Sequence, residues 1–380
     1  MAGLYIHIPF CKKACHYCNF HFSTTLHQKP ALLEALMSEL RLRKDAMPMP
    51  LHSIYLGGGT PSLLSIDELS ALFDAIGEYF HLLPDAEITL EANPDDINPD
   101  TPMNWMQYTP INRISLGIQS FDERDLRWMN RAHSAQQAIQ SLEWIAKAGF
   151  TNWSADLMYG LPNSTNTIWE NNIRRLLAYN PPHISAYCLT IEEHTALHHA
   201  VKTGKSSPVD EEKAYHQFQA LIDTLTTSGF EHYEVSNFAK PNRMAVHNSS
   251  YWLGQHYLGI GPAAHSFDGD TRQWNVANNS IYIREIMNDV VPASVEIRTK
   301  EMKYNEYIMT RIRTRFGCQE SEIQQFGAPF LAYFKKVIAN LANQNLVEKN
   351  REAAWVLTRT GLWRADGIAA DLFMTNKNFE

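Results

Sequence analysis

The sequence predicts an α/β protein: a partial (β/α)6 barrel followed by a smaller, mostly helical C-terminal domain. Three observations predict it. Strand-like and helix-like segments alternate over roughly the first 190 residues. Residues with chemical potential fall just after the strand-like segments. From about Glu296 the pattern becomes mostly helical. Alternation implies parallel strands joined by right-handed crossovers, whose carboxyl ends are where such folds bind ligands.

The elements follow in order. Short apolar runs rich in β-branched residues give strands over 4–8, 53–56, 88–90, 113–117, 153–158 and 183–187. Helical spacing covers 31–44, 66–79, 135–148 and 169–179. Six strands are too few for a closed eight-stranded barrel. A helix over 210–228 comes next, then a Gly- and aromatic-rich stretch over 233–279. The tail ends in a strand at 355–358 and resembles a small winged-helix unit. The expected division is a core of residues 1–290 with its extension, and a domain of residues 291–380.

Composition excludes several classes. Of the 380 residues, 44% are apolar, enough for a sizeable core, and 19% are charged, which argues against disorder. A net charge of −8 is the wrong sign for a dedicated nucleic-acid binder. No apolar run is long enough for a membrane span. Residues 1–10 lack the basic start of a secretory leader. Three of the five cysteines fall between positions 11 and 18, which suits a metal or cluster site in a reducing compartment rather than a disulfide framework. A cytoplasmic location is expected.

Cys11-x3-Cys15-x2-Cys18 follows the first strand. Three thiolates on one loop suit three irons of a cubane, leaving the fourth iron open. A zinc site completed by His7, His16 or His21 is the alternative. After the next strands come Gly57-Gly58-Gly59-Thr60-Pro61, Glu91-Ala92-Asn93-Pro94, Gln119-Ser120-Phe121 and Asp156. All these motifs sit at one edge of the predicted sheet and describe one ring-shaped site.

The cysteine motif resembles the signature of the radical S-adenosylmethionine (SAM) superfamily. That resemblance implies a [4Fe-4S] cluster on Cys11, Cys15 and Cys18, with SAM chelating the open iron and cleaved to a 5′-deoxyadenosyl radical. It gives SAM contacts to Tyr5, Tyr17, Gly58, Gly59, Thr60, Glu91, Gln119, Arg131 and Asp156. Gly261-Pro262-Ala263-Ala264-His265-Ser266 resembles a loop that closes over the cofactor, where the family commonly has glycine at the position of Ala263.

Tyr5-x-His-Ile-Pro-Phe-Cys11, Gly-Gly-Gly-Thr-Pro-Ser, Glu-Ala-Asn-Pro and Asp-Leu-x-Tyr-Gly-Leu-Pro together resemble the oxygen-independent coproporphyrinogen III oxidase family over roughly residues 4–290. Three features favour its haem chaperone (HemW) branch over the oxidase. Phe20 stands where the oxidase carries a further cysteine. Only four residues precede Tyr5. His247-Asn-Ser-Ser-Tyr251-Trp252 matches a motif of the chaperone branch, and His247 is its natural haem contact. The resemblance implies haem as a third cofactor, a haem acceptor protein, and an electron donor such as a flavodoxin or ferredoxin. It implies no coproporphyrinogen oxidase activity. A homodimer is compatible with the sequence, though no residue argues for it. His194, His198 and His199 read as a solvated helix face.

Overall fold

The computed structural model describes residues 2–375. Six parallel strands run in chain order: β1 (Ala2–Ile8), β2 (Leu51–Gly58), β3 (Leu82–Ala92), β4 (Arg113–Gln119), β5 (Trp153–Tyr159) and β6 (His183–Cys188). The chain then adds β7 (Glu231–Glu234) and β8 (Asn237–Ala239) antiparallel beyond β6. On the other side β9 (His256–Ile260) pairs parallel with β1, and β10 (His265–Phe267), β11 (Thr271–Asn275) and β12 (Ala293–Ile297) extend the sheet to twelve strands. This is the expected open α/β barrel.

Burial explains why these segments are strands. Ala2, Leu4, Ile6 and Ile8 of β1 are fully buried, as a parallel strand covered on both faces requires. The helix Ile66–Tyr79 turns Leu69, Leu72, Phe73 and Ile76 inward, and a Ser65/Glu68 capping box sets its start. A Ser134/Gln137 box does the same for the helix Ala135–Ala148, which ends at Gly149 with φ 95°.

A second core holds Tyr304, Ile308, Ile312, Phe334, Ile338 and Leu372 together. It comprises the helices Lys300–Ile312, Glu320–Gln324 and Ala328–Asn343, then the ribbon of β13 (Val347–Lys349) and β14 (Trp355–Leu357), and the closing helix Ala365–Leu372. The C-terminal part is mostly helical, as expected.

Several elements differ from expectation. β3 starts six residues earlier than the apolar run, because Leu82 already pairs with Leu51. The helices Thr101–Tyr108 and Glu123–Trp128 are too short to show periodicity. The segment around His247, inside the Gly- and aromatic-rich stretch, is the short helix Val246–Trp252.

Candidate functional site

The cysteine loop leaves β1 and returns at Ser23, whose carbonyl accepts from Cys11 N at 3.0 Å. Neighbouring segments clamp it along its length. His16 N donates to Met129 O (3.2 Å) and Leu197 N to His16 O (2.8 Å). The Asn130 amide donates to Ala14 O at 2.7 Å. Lys12 pairs with Asp95 at 3.0 Å and with Asp96. A loop fixed at so many points holds its thiols in place before any group is bound.

Cys11, Cys15 and Cys18 are half-buried and line one cavity of about 690 Å³ at the carboxyl ends of β1–β6. Their sulfurs already receive donors. The Thr60 hydroxyl lies 3.6 Å from Cys11 Sγ, and Arg131 Nη1 lies 3.5 Å from Cys15 Sγ. Burial pushes the Cys11 thiol up to about 11 and raises that of Cys18. A cationic centre between the thiolates would offset that burial cost.

The geometry does not favour the zinc alternative. His7 Nε2 donates to His21 O at 2.9 Å, so its Nδ1 accepts from the Tyr5 hydroxyl at 3.0 Å. His16 Nδ1 lies 2.8 Å from Trp128 O and His21 Nε2 lies 2.7 Å from Asn279 Oδ1. Among the described residues, no three Cys, His, Asp or Glu side chains converge in the manner of a single-ion site. A cubane takes each thiolate on a different iron and does not need that convergence.

The cavity wall contains most of the expected SAM set. A Cβ on Gly59 would come within 2.6 Å of Ile8 O and 2.7 Å of Phe10 N, so only glycine packs beneath the cysteine loop. Glu91 accepts from the Tyr55 hydroxyl (2.7 Å) and from Gly58 N (3.1 Å), and burial pushes its carboxyl up to about 7. Burial likewise pushes Asp156 up to about 6, against the hydroxyls of Ser185, Ser115 and Ser154. Gln119 takes φ 65° where the β4–β5 register shifts, at the cavity wall. Arg131 Nη2 donates to Gly117 O (2.7 Å) and Asn93 Oδ1 (2.5 Å). Its Nε is buried without a hydrogen-bond partner. Tyr17, Gly58 and Thr60 also line the cavity. Tyr5 does not; its hydroxyl is spent on His7. Ala263 adopts φ 60°, the conformation that explains glycine at this position in the family.

His247 lies elsewhere. It packs against Gly3 and Ser53, near the amino ends of β1 and β2, and its backbone N donates to Glu87 of β3 at 3.0 Å. Gly58, at the carboxyl end of β2, is five residues beyond Ser53, roughly 16 Å along the strand. His247 is only 1% exposed. Its Nδ1 lies 2.9 Å from Ser53 Oγ and its Nε2 lies 2.8 Å from Tyr251 Oη, while its ring stacks on Tyr55. Burial pushes it down to about 3, so it is a neutral imidazole with both nitrogens engaged. His247 therefore presents no free ring nitrogen in this arrangement.

Two positions escaped the sequence reading. Tyr55 fixes Glu91, and Asn93 bridges Arg131 to the Thr60 hydroxyl at 3.0 Å. Asn93 stood inside the quoted Glu-Ala-Asn-Pro motif, and its amide was the available signal.

Residues 5–176 match the radical SAM superfamily. A haem chaperone HemW of Mycobacterium tuberculosis is 34% identical over 321 residues, covering 83% of this chain and 82% of its own. The HemW of Lactococcus lactis is 32% identical over 377 residues, covering 99% of this chain and 98% of its own. Among solved structures, the coproporphyrinogen III oxidase HemN of Escherichia coli, described as a radical SAM enzyme, superposes with a TM-score of 0.84 at 25% identity. That match covers 98% of this chain and 90% of the oxidase.

Proposed function

The chain belongs to the HemW family of radical SAM proteins, and on that premise we propose that it is a haem chaperone, binding haem and passing it to an acceptor protein. The observation that carries the cluster part of this reading is the clamped three-cysteine loop opening on one cavity, and the HemW relatives carry the haem part. Cys11, Cys15 and Cys18 would hold a [4Fe-4S] cluster, with Thr60 and Arg131 steadying the sulfurs of Cys11 and Cys15. Gly58, Gly59, Glu91, Gln119 and Asp156 present the polar wall that would receive SAM. When bound, the pair supplies one-electron chemistry that no side chain offers. The chain itself orients the two groups and limits water around them. A flavodoxin or ferredoxin is the proposed electron donor.

The fold match to the oxidase supports a second reading, coproporphyrinogen oxidation. One sample separates the two. Anaerobic reconstitution is expected to load about four irons per chain, and hemin titration to give a saturable Soret shift near one equivalent, with no conversion of coproporphyrinogen. Turnover of coproporphyrinogen transfers the protein to the oxidase reading. Absence of any Soret shift removes haem from the function.

A further inference from the structure

Two of the cysteine sulfurs receive a side-chain donor, and a single amide holds both donors. The Thr60 hydroxyl serves Cys11 Sγ at 3.6 Å, and Arg131 Nη1 serves Cys15 Sγ at 3.5 Å. Between the two donors stands Asn93, the residue after β3. Its amide lies 2.5 Å from Arg131 Nη2 and 3.0 Å from Thr60 Oγ1.

The partners fix which way this amide points. Arginine carries donors only, so the atom facing Nη2 is the amide oxygen. The amide nitrogen then faces Thr60 Oγ1 and donates to it. A hydroxyl has one proton and two lone pairs. With a lone pair of Thr60 taken by Asn93, its proton is left for Cys11 Sγ. On the other side, Asn93 Oδ1 and Gly117 O both accept from Arg131 Nη2, which turns Nη1 toward Cys15. One side chain thus aims both donors. Asn93 is itself held: its backbone N donates to Ser62 Oγ at 3.3 Å, and Ser62 Oγ donates to Asp96 at 2.7 Å. Asp96 pairs with Lys12, the neighbour of Cys11. A Cβ on Gly117 would come within 3.1 Å of Arg131 Nη2 and 3.3 Å of Asn93 Oδ1, so glycine leaves the contact its room.

We propose that Asn93 is a positioning residue that sets the reduction potential of the cluster, by aiming Thr60 and Arg131 at the sulfurs of Cys11 and Cys15. The proposal rests on the cluster reading above and adds a determinant of its potential. Reduction adds one electron from the external donor and increases the negative charge on the sulfurs. Hydrogen-bond donors at those sulfurs favour the reduced form and raise the potential. Loss of a donor lowers it.

The reconstituted full chain, without SAM, is titrated with dithionite, and the midpoint potential is read from the electron paramagnetic resonance signal of the reduced cluster. Thr60→Val removes one donor at similar size. It is expected to lower the ratio of reduced to oxidised cluster about tenfold at fixed poise, what one hydrogen bond to a charged group is worth, or roughly 59 mV for a one-electron couple. Thr60→Ser keeps the hydroxyl and holds the wild-type value, which a merely structural role would not require. Asn93→Asp keeps an acceptor for Arg131 but offers Thr60 no proton, so the hydroxyl turns to the carboxylate and leaves Cys11. In the Asn93→Asp background Thr60→Val is therefore expected to cause no further shift, and the added charge cancels because both members of that pair carry it. A Thr60→Val shift of equal size in both backgrounds, or none in the wild type, overturns the proposal. If Asn93→Asp loads no iron, Asn93→Leu, uncharged and similar in size, is read instead. It is expected to lower the potential, and an unchanged value overturns the proposal. Failure of both to load iron makes Asn93 a requirement for assembling the site and equally overturns a tuning role. A wild type that binds no cluster overturns the cluster reading itself, and the proposal with it.

Discussion

At the carboxyl ends of the barrel strands, buried polar groups face a cavity; at the amino ends, the same kinds of residue close on one another. Glu91 and Arg131 at the upper end keep atoms toward open space, and Arg131 Nε has no partner. At the lower end His247 spends both nitrogens on Ser53 and Tyr251, and Glu87 accepts from the backbone nitrogens of Val246 and His247. Tyr55 joins the two, donating to Glu91 above and stacking on His247. Residue type alone therefore does not mark function in a buried polar column. Unpaired polar atoms do not mark it either, since His52 Nδ1 and Arg113 Nη2 at the closed end are buried without a hydrogen-bond partner; what marks it is a place in the cavity wall.

The largest effect that tests this contrast is Cys15→Ala. Removing one of three thiolates leaves a cubane with too few ligands, and iron and sulfide content after reconstitution is expected to fall to near zero. Full retention of iron would mean the loop is not the cluster site. His247→Ala is the matching change at the closed end. It removes a buried ring and orphans two hydroxyl partners, which costs about 2–4 kcal/mol in urea unfolding. Cluster content in the surviving folded protein stays at the wild-type level. If His247→Ala lost iron as Cys15→Ala does, the two ends would not be separable.

This contrast also decides what the sequence made legible. The cysteines, the glycines and the acidic wall were readable because each follows a strand, and parallel strands bring their carboxyl ends to one edge. The position of His247 was not legible for the complementary reason. It stands in a short helix after a crossover, and sequence spacing says nothing about which end of the barrel such a helix reaches. The Asn93–Arg131 contact joins residues 38 positions apart, so only the folded chain shows it. The early start of β3 was equally hidden, since Leu82 to Glu87 are strand by pairing rather than by composition.

Proton linkage offers a sharper comparison, because the two ends titrate in opposite senses. Burial raises Glu91 from its ordinary value to about 7. The folded state then holds a proton that the unfolded state releases, so this contribution to stability is full below about 4.5 and is lost as pH rises through about 7. Glu91→Gln removes the loss, and its stability relative to wild type is expected to climb across that window. Burial lowers His247 from 6.5 to about 3. Its contribution is full above 6.5 and is lost as pH falls toward 3. His247→Asn lacks it, so that variant sits furthest below wild type at neutral pH and approaches it in acid. Urea midpoints of the metal-free protein between pH 4 and 8 check both slopes. Parallel slopes would contradict the assignment of opposite burial penalties to the two ends.

The smallest effect concerns the loop after β9 on the open side. Gly261 crosses so close to the end of β1 that a Cβ there would come within 2.7 Å of His7 O, and two residues later Ala263 takes φ 60°. An L-residue with a side chain costs about 1–2 kcal/mol in that conformation. Glycine removes the cost but gains freedom in the unfolded chain, worth about 0.5–1 kcal/mol against it. Ala263→Gly is therefore expected to stabilise the protein by no more than about 1 kcal/mol, read as a small rise in the urea midpoint at constant slope. The chain tolerates an alanine here because Ala263 N still donates to Val276 O at 3.1 Å and Ala264 N to Gly261 O at 3.2 Å, so the turn is fixed by its own hydrogen bonds. A clear destabilisation by Ala263→Gly would mean that the alanine methyl packs against something the loop needs. The open end would then share the tight closure that distinguishes the region around His247.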